Sequence, residues 1–337
     1  MSRDIEAIIW SEGAIRLLDQ TKIPVTEEYL TIDNVDLLID AIARLVVRGA
    51  PALGVAGAYG VALAIAQAER EAWSSQALEA AIDRIRDARP TAVNLAWGVN
   101  QVRDLIPSGF DAVLSAAHGI AQDDKNSCDA MARNGADWLA EKFGSKKIRM
   151  LTHCNTGSLA TAGIGTALGV IREMHRRNLV EEVLADETRP LLQGSRLTAW
   201  ELSVSGIPFR IEPDGAAATA ILSGMVDVAL IGADRIAKNG DTANKIGSLG
   251  VALACKEAGI PFLVVAPEST VDRTLENGNS IVIEERPDSE ITHFGDHQVA
   301  PVGAKTFNPA FDVTPSRFIT AVVTDKKIYE ISQGATL

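Results

Sequence analysis

The sequence predicts an α/β protein of two domains, in which residues 1–143 form a mainly helical domain with a small β arm and residues 144–337 form a domain built on a parallel sheet. Three observations predict this. At 337 residues the chain exceeds the size of most single cores. Its first part carries helical apolar stripes behind an extended arm. Past the polar run at 144–147, strand-like and helix-like runs alternate, which is typical of a sheet covered on both faces.

The helical domain is predicted from apolar residues that recur three and four positions apart. In the segment 35–47, Leu38, Ala41 and Ile42 share one face, and Asn34 precedes the segment as a cap. The same spacing predicts helices over 76–88, 94–105 and 127–142. An extended pattern predicts small strands over 5–10 and 29–32.

One stretch of this domain, 49–68, is uncharged for 20 residues and is long enough to cross a bilayer. Alanine and glycine make up 12 of those 20 residues, and Gly54, Gly57 and Gly60 repeat at a spacing that suits close helix packing. Segments poor in leucine partition weakly into lipid. We therefore predict a buried helix and no membrane partner.

The second domain is predicted to contain a Rossmann-like sheet, because short apolar runs that suit buried strands are separated by helical patterns. The strand-like runs occupy 148–152, 181–185, 208–212, 226–232, 261–265, 281–283 and 319–323. The helix-like runs occupy 158–177, 194–205, 215–224 and 244–258.

Composition excludes several classes of protein. A formal net charge of −12 opposes a nucleic-acid surface, because the phosphate backbone would be repelled. The three cysteines, Cys128, Cys154 and Cys255, are odd in number and widely spaced, so they suggest a reducing cytoplasm rather than a disulfide framework. The first residues carry acids and lack an apolar core, so we expect no signal peptide and a cytoplasmic protein.

Cys154 and Asp234 each follow a predicted strand. One strand leads into Thr-His-Cys-Asn-Thr-Gly at 152–157, and a later one leads into Ala-Asp-Arg at 233–235. Open α/β sheets hold their active sites at the carboxyl ends of the strands, so the thiol and the carboxyl group should face one crevice. We expect a helix to begin at Gly157, and its amide groups would favour a thiolate or a bound anion. The alternative is a small buried thiol and a capping aspartate.

Basic and amide residues near predicted helix starts are candidates for holding an anion. Asn244 and Lys245 lie at the start of the predicted 244–258 helix, where a lysine opposes the helix dipole and so favours a ligand role. Arg48 and Arg89 also precede predicted helices, and each could bind a phosphate or a structural carboxylate.

Two patterns resemble cofactor or metal motifs but fit them poorly. The glycines of 163–169, with Asp186 beyond them, resemble a dinucleotide fingerprint, yet we place them inside a helix rather than in the turn after a strand. His293 and His297 lie four apart, but Gly295 argues against a helix and no clear carboxylate completes a metal set. We predict no cofactor and no metal.

At these positions the sequence resembles the methylthioribose-1-phosphate isomerase family of methionine salvage, which shares a superfamily with the α, β and δ subunits of the factor that exchanges nucleotide on translation initiation factor 2. The resemblance covers nearly the whole chain. The matching runs are Arg-Gly-Ala-Pro at 48–51, Arg-Pro-Thr-Ala-Val-Asn-Leu at 89–95, Thr-His-Cys-Asn at 152–155, Asp-Glu-Thr-Arg-Pro-Leu-Leu-Gln-Gly at 186–194, Gly-Ala-Asp-Arg-Ile at 232–236, the segment 239–247, and Asn-Pro-Ala-Phe-Asp-Val-Thr-Pro at 308–315.

The resemblance implies an aldose–ketose isomerase that converts 5-methylthioribose 1-phosphate to 5-methylthioribulose 1-phosphate, works without a cofactor and forms a homodimer. It also implies that Cys154 and Asp234 are the catalytic pair. The residues expected to bind the sugar phosphate are Arg48, Gly49, Ala50, Arg89, Gln193, Asn244 and Lys245. One position departs from the family pattern: Gly215 stands where the family often has a polar residue.

In the expected chemistry, Asp234 protonates the ring oxygen to open the sugar, which requires an apolar surround that keeps its carboxyl group protonated. Cys154 then assists transfer between C2 and C1, by moving a proton or by stabilising a cation while hydride shifts. The alternatives are a sibling isomerase acting on 5-deoxyribose 1-phosphate or ribose 1,5-bisphosphate, a non-catalytic regulatory subunit, and a nicotinamide dehydrogenase.

Overall fold

The computed structural model of the chain describes residues 5–90 and 93–337. Its internal contacts form two compact units. The N-terminal unit contains the described residues 5–129 and 156–165, and the sheet unit contains 130–155 and 166–337. This division follows packing and passes through a helix, whereas the predicted domain boundary at residue 144 follows a polar run, so that boundary stays a prediction.

The N-terminal unit combines a small antiparallel sheet with helices. The sheet has the order β1-β2-β3, in which Ile8 pairs with Leu17 and Ile15 pairs with Ile32. The strands and first helices are β1 (Ile8–Ser11), β2 (Ala14–Leu18), β3 (Tyr29–Ile32), α1 (Val35–Ala43), α2 (Ala50–Glu71), α3 (Ser75–Arg86) and α4 (Val93–Arg103). The predicted arm and helices are therefore present, with β2 missed by the pattern. Thr91 and Ala92, part of the quoted 89–95 run, lie outside the described residues.

Helix α2 is the uncharged stretch, and it packs closely against α4. A Cβ atom placed on Gly98 would overlap the carbonyl oxygen of Gly54, and one on Gly57 would lie 2.5 Å from the carbonyl oxygen of Leu95. Only glycine allows the two backbones to approach this closely. The helix is long and apolar enough to cross a membrane, but 83% of its apolar window is buried inside the structure. The prediction of a buried helix is confirmed.

Helix α5 (Phe110–Phe143) is 34 residues long, and the sequence predicted only its second half. Its first half buries Val113, Ala117 and Ala121. Two of these three side chains are small, which weakens the apolar periodicity that reveals a helix. Residues 110–129 belong to the N-terminal unit, and 130–143 belong to the sheet unit.

The sheet unit contains a seven-stranded sheet with the order β16-β15-β10-β7-β4-β5-β6, in which every pair except β15–β16 is parallel. A four-stranded sheet, β11-β8-β9-β14, and a two-stranded one, β12-β13, accompany it. The strands are β4 (Ile148–Thr152), β5 (Val180–Asp186), β6 (Phe209–Glu212), β7 (Val228–Ile231), β8 (Arg235–Ala237), β9 (Thr242–Lys245), β10 (Phe262–Val265), β11 (Val271–Asp272), β12 (His293–Phe294), β13 (His297–Gln298), β14 (Phe311–Thr314), β15 (Ala321–Val323) and β16 (Ile328–Tyr329). The helices are α6 (Ala167–Arg176), α7 (Ala199–Val204), α8 (Ala217–Leu222), α9 (Ser248–Ala258) and α10 (Ser289–Thr292), with a π-helical turn at Gly194–Thr198.

The strand order creates a switch point between β4 and β7. From β4 the chain adds β5 and then β6 on one side, and then crosses to place β7 on the other side of β4. Connections leave β4 and β7 in opposite directions, which opens a crevice at the carboxyl ends of these two strands. The predicted mixed α/β fold with a parallel sheet is confirmed.

Two predicted helices of the sheet unit begin later than expected, and one predicted strand is absent. The helix expected at 158–177 begins only at Ala167, after a loop. The start of the helix expected at 244–258 is strand β9, and α9 begins at Ser248. No strand occupies 281–283, where Val282 is 92% exposed, so this apolar run does not enter the sheet.

Candidate active site

Cys154 and Asp234 follow β4 and β7, the two strands that flank the switch point. The strands are parallel neighbours in which Thr152 pairs with Leu230, so the prediction that each residue follows a strand of a parallel sheet is confirmed. Cys154 is buried, with 6% of its surface exposed, whereas Asp234 is exposed. The expectation that an apolar surround encloses the Asp234 carboxyl group is therefore wrong for the chain as it stands. The reason is that β7 ends three residues earlier and the turn into β8 carries the side chain outward.

The backbone of Cys154 is strained and held by hydrogen bonds. Its φ angle is 69°, a left-handed conformation that is uncommon for residues other than glycine. Its N–H donates to Thr188 Oγ1 at 2.9 Å, and its carbonyl oxygen accepts from Thr198 Oγ1 at 2.7 Å. Strain of this kind persists where the surroundings fix the backbone, and such positions cluster at active sites.

Thr188 is itself at a φ angle of 62°, which is rarer still for a β-branched residue. The carboxylate of Asp214 holds it there, because Oδ1 accepts from the Thr188 N–H at 2.7 Å and Oδ2 accepts from the Arg189 N–H at 2.6 Å. The Cys154 turn is thus supported by loops from two neighbouring strands. The support expected from a long helix starting at Gly157 is wrong, because only a three-residue 3-10 turn, Ser158–Ala160, follows Gly157, and α6 begins at Ala167.

Gln193 is the predicted binding residue that contacts the thiol. Its side chain is 3% exposed, and Nε2 donates to Cys154 Sγ at 3.3 Å. Its Oε1 is buried and has no hydrogen-bond partner among the residues described. A buried amide oxygen without a donor is unfavourable, so a ligand hydroxyl group would satisfy it. The next residue, Gly194, has to be glycine, because a Cβ atom there would overlap the carbonyl oxygen of Asp186.

His153 links the Cys154 turn to the end of β9. Its Nδ1 lies 2.7 Å from Asp186 Oδ2, and its Nε2 donates to the carbonyl oxygen of Ile246 at 2.8 Å. Burial alone would lower the pKa of His153, but the hydrogen bond and charge of Asp186 outweigh burial and raise the pKa to about 9. The ring is therefore an imidazolium at neutral pH.

His153, Asp186 and Asp214 offer potential metal-ligating atoms within 4.8 Å of one another. Most of these atoms are already bonded: His153 Nδ1 to Asp186 Oδ2, and both oxygens of Asp214 to backbone N–H groups. The donor set therefore fits a hydrogen-bond network better than a metal site.

Asp186 is also 1% exposed, which keeps it from reaching the ribose of a dinucleotide. Gly163 and Gly165 lie before α6 rather than inside it, so the prediction that the glycines of the dinucleotide-like pattern lie within a helix is wrong for these two.

Asn244 and Lys245 lie on strand β9 rather than at a helix start. Asn244 Nδ2 donates to Ser248 Oγ at 2.8 Å, and Lys245 Nζ donates to the carbonyl oxygen of Ala310 at 2.8 Å. The dipole argument for Lys245 is therefore wrong, but the segment still lies beside the thiol loop. His153, next to Cys154, is hydrogen-bonded to the residue that follows Lys245.

Arg48, Gly49, Ala50 and Arg89 belong to the N-terminal unit. Gly49 caps α2 with a φ angle of 95°, and a Cβ atom there would lie 2.5 Å from Cα of Ala160. Ala160 is in the loop that follows Cys154 along the chain, and this loop is part of the N-terminal unit. Arg48 and Arg89 are half-buried.

Sequence reasoning missed Thr188 and Glu212, because only strand pairing and turn geometry bring them to the site.

Comparison with known proteins gives one family. The profile of the Initiation factor 2 subunit family matches residues 46–330. The chain is 45% identical to a methylthioribose-1-phosphate isomerase of Heliobacterium modesticaldum, over 96% of each chain. It is 44% identical to a 5-deoxyribose 1-phosphate isomerase of Moorella thermoacetica, over 97% of this chain and 96% of that one.

A longer relative in Nocardia farcinica is described as a probable bifunctional methylthioribose-1-phosphate isomerase and methylthioribulose-1-phosphate dehydratase. It is 50% identical over 96% of this chain, and the match spans 58% of that protein's length.

Two solved structures share the fold along nearly the whole chain. A 5-methylthioribose 1-phosphate isomerase from Pyrococcus horikoshii OT3 superposes with a TM-score of 0.88 at 35% identity, over 98% of this chain and 93% of that one. A structure described as the delta subunit of translation initiation factor eIF-2B from A. fulgidus gives 0.86 at 39% identity, over 97% and 96%.

Proposed function

Because the chain belongs to the Initiation factor 2 subunit family, we propose that it is an aldose–ketose isomerase of methionine salvage, which converts 5-methylthioribose 1-phosphate to 5-methylthioribulose 1-phosphate. Relatives at 44–46% identity that carry the methylthioribose-1-phosphate isomerase name support the reaction. The observation that carries the proposal is the buried Cys154, held in a strained turn beside Gln193, whose Oε1 is without a donor in the described chain.

The proposed chemistry begins with ring opening, because the phosphate on the anomeric carbon prevents a free aldehyde from forming. Asp234 gives a proton to the ring oxygen, and the C1–O bond of the ring breaks. A hydrogen then moves from C2 to C1, and the C2 hydroxyl group loses its proton as C2 becomes a carbonyl carbon. Cys154 assists this transfer, either by carrying a proton or by stabilising a cation while hydride shifts.

Asp234 is exposed in the substrate-free chain, so the proposed acid role requires that bound substrate cover it. A carboxyl group covered by an apolar ligand holds its proton more firmly than one in water. Cys154 is already enclosed and needs no such change. The proposal therefore predicts that the acid becomes competent only in the complex.

Further parts of the proposal concern binding and assembly. Arg48, Gly49, Ala50, Arg89, Asn244 and Lys245 bind the phosphate, and Gln193 accepts a sugar hydroxyl group at Oε1. Residues 144–337 form a Rossmann-like catalytic domain behind a helical domain with a β arm. The protein acts in the cytoplasm as a homodimer, on a small sugar phosphate, without a metal or cofactor.

A second candidate reaction is isomerisation of 5-deoxyribose 1-phosphate, and the similarity to the Moorella thermoacetica protein favours it. The two substrates differ only at C5, so the same pair of residues would serve both. Gly215 does not decide between the two substrates. A Cβ atom there would meet nothing within 4 Å, so the described chain shows no neighbour that a side chain at this position would contact.

The test is to mix the purified protein with the 1-phosphates of methylthioribose, 5-deoxyribose and ribose and to follow ketose signals by NMR. Cys154→Ser and Asp234→Asn should abolish turnover while binding of the sugar phosphate persists. Matched controls are Cys255→Ala, a buried cysteine on α9, and Asp296→Asn, an exposed aspartate between β12 and β13, and both should stay active. Full activity in both Cys154→Ser and Asp234→Asn would overturn the assignment, and so would the absence of ketose with all three sugars.

A further inference from the structure

Three buried ionisable side chains lie behind Cys154 and have no part in the proposed bond changes. His153, Asp186 and Glu212 are 0%, 1% and 9% exposed. Buried charges are unfavourable unless they are paired and hydrogen-bonded. The protonation states of the three groups are therefore linked. The hydrogen bonds around them indicate which groups carry protons.

The hydrogen bonds of His153 suit a proton on each ring nitrogen, in agreement with its raised pKa. The carbonyl oxygen of Ile246 can only accept, so Nε2, at 2.8 Å, carries a hydrogen. Asp186 Oδ2 lies 2.7 Å from Nδ1, and a carboxylate there also accepts. The ring is therefore an imidazolium that donates in two opposite directions, and Asp186 provides its counter-charge.

Asp186 and Glu212 form a carboxyl pair on adjacent strands. They are Cα partners in the parallel register of β5 and β6, so their side chains leave the sheet on the same face. Asp186 Oδ1 and Glu212 Oε1 are both buried, and neither has a donor among the residues that the structure describes. Two acceptors without donors become one satisfied hydrogen bond if a single proton lies between them.

Electrostatics places that proton on Glu212. Burial, followed by the charge of Asp186, raises the pKa of Glu212 to about 7. Burial raises the pKa of Asp186 as well, but the hydrogen bond and charge of the His153 imidazolium oppose that rise and favour the ionised form of Asp186. Two neighbouring carboxyl groups that share one proton titrate as a pair.

We propose that His153, Asp186 and Glu212 form a positioning relay, in which one proton shared by the two carboxyl groups holds the imidazolium in place and so holds Cys154 against the segment that carries Lys245. Only the effect of the relay on kcat rests on the proposed function, because the protonation states can be measured without substrate. Its members touch no reacting atom, so they act through Cys154 and Lys245.

The relay connects two site segments because His153 is bonded to neighbours of both. His153 directly precedes Cys154, and Ile246 directly follows Lys245. A Cβ atom on Gly247 would lie 2.6 Å from His153 Cε1, so the ring packs flush against that turn. Loss of the Glu212 proton leaves two carboxylates side by side, and their repulsion displaces Asp186 from the ring.

Other charged groups around the relay do not substitute for the shared proton. Asp214 opposes ionisation of both carboxyl groups, but backbone N–H groups bind both of its oxygens. Arg210 favours ionised Glu212 but is paired with Glu182. The groups that face His153 are Asp186, Cys154, Asp214 and Asp312, and Cys255 on α9 lies in the field of Asp186.

The kinetic test compares the pH dependence of kcat in the whole protein and in Glu212→Gln. A glutamine amide donates permanently to Asp186 Oδ1 and does not titrate. In the unmodified protein kcat should fall as pH rises through about 7, by roughly twofold to thirtyfold. The Glu212→Gln variant should lose this step. The control is Glu181→Gln, at an exposed glutamate on β5, the strand that carries Asp186, and this variant should keep the step.

Two substitutions of His153 separate positioning from simple structural damage. In His153→Asn the amide nitrogen takes the place of Nδ1 and can still donate to Asp186, whereas His153→Ala removes both contacts. The asparagine variant should keep more of kcat than the alanine variant, with little change in KM. Equal kcat in the two variants would contradict the relay.

A readout without substrate keeps the relay separable from the isomerase assignment. At about pH 6, infrared difference spectra between the unmodified protein and Glu212→Gln should show one protonated carboxyl band that Glu181→Gln retains. Nitrogen NMR should show the His153 ring doubly protonated until pH approaches about 9. Absence of the carboxyl band, a neutral ring at neutral pH, or an unchanged kcat profile in Glu212→Gln would overturn the proposal. If the band and the imidazolium are present but no sugar phosphate is isomerised, the proposed function fails and the relay stands.

Discussion

Gly247 offers a sharp test of how the site is held together. Its φ angle is 110°, and an added Cβ atom would lie 2.6 Å from Cε1 and 2.9 Å from Nε2 of His153. The ring cannot move aside easily, because it is fully buried and hydrogen-bonded at both nitrogens. Gly247→Ala therefore combines backbone strain with the loss of a bond to His153.

The expected cost follows from these two parts. An L-residue in a left-handed conformation costs roughly 1–2 kcal/mol, and disrupting a hydrogen bond to a charged group costs about 1.5–3 kcal/mol. The variant should therefore lose about 2.5–5 kcal/mol of unfolding free energy. Chemical denaturation followed by circular dichroism measures this loss, and kcat should fall with it because the ring contacts the turn beside Lys245.

The matched control is Gly250→Ala, three residues further along. No atom lies within 4 Å of a Cβ built there, and Gly250 is exposed in the first turn of α9. The same chemical change should raise stability by about 0.5–1 kcal/mol. A Gly247→Ala protein as stable and as active as the control would refute the idea that the His153 ring is locked against this turn.

Two other outcomes are expected. Gly98→Ala should destabilise the N-terminal unit by about 3 kcal/mol, because its Cβ atom would overlap the Gly54 carbonyl oxygen, whereas Gly119→Ala on α5 meets no neighbour and should be neutral or stabilising in the same denaturation assay. Burial raises the pKa of Asp124 from 3.8 to about 6, against the opposing N–H groups of Ala162 and Gly163. The folded state therefore holds this proton more firmly than the unfolded state. Relative to Asp124→Asn, the unmodified protein should lose up to about 3 kcal/mol as pH rises from below 3.8 to above 6, and a constant difference across that range would contradict this reading.

Several parts of the site were predictable because they depend on short-range pattern. The apolar runs of β4 and β7 locate Cys154 and Asp234 after strands, and these strands are indeed parallel neighbours. Gln193 came from resemblance to a known family, and its amide contacts the thiol. Strand and helix runs read from sequence alone also gave the mixed α/β class.

Other parts were not predictable, because they depend on which strands pair and which turns form. Lys245 was placed at a helix start because the segment that follows it is helical, yet it pairs with Phe311 on β14, a partner 66 residues away. Asp234 was expected to be enclosed, and only the turn between β7 and β8 shows that it is exposed. The loop after Cys154 is rich in alanine and glycine, a composition that suits both a helix and a tightly packed loop.

The sequence by itself determined the alternation of strands and helices, the glycine-rich face of α2 that suits close helix packing, and the positions of the thiol and the acid at strand ends. These follow from periodicity and from side-chain size, which are local properties. Only the tertiary structure decided that β5 and β6 run in register, so that Asp186 and Glu212 become neighbours and His153 acquires a charged partner. Burial then changes which protonation states are favourable, and burial depends on contacts between residues far apart in the chain.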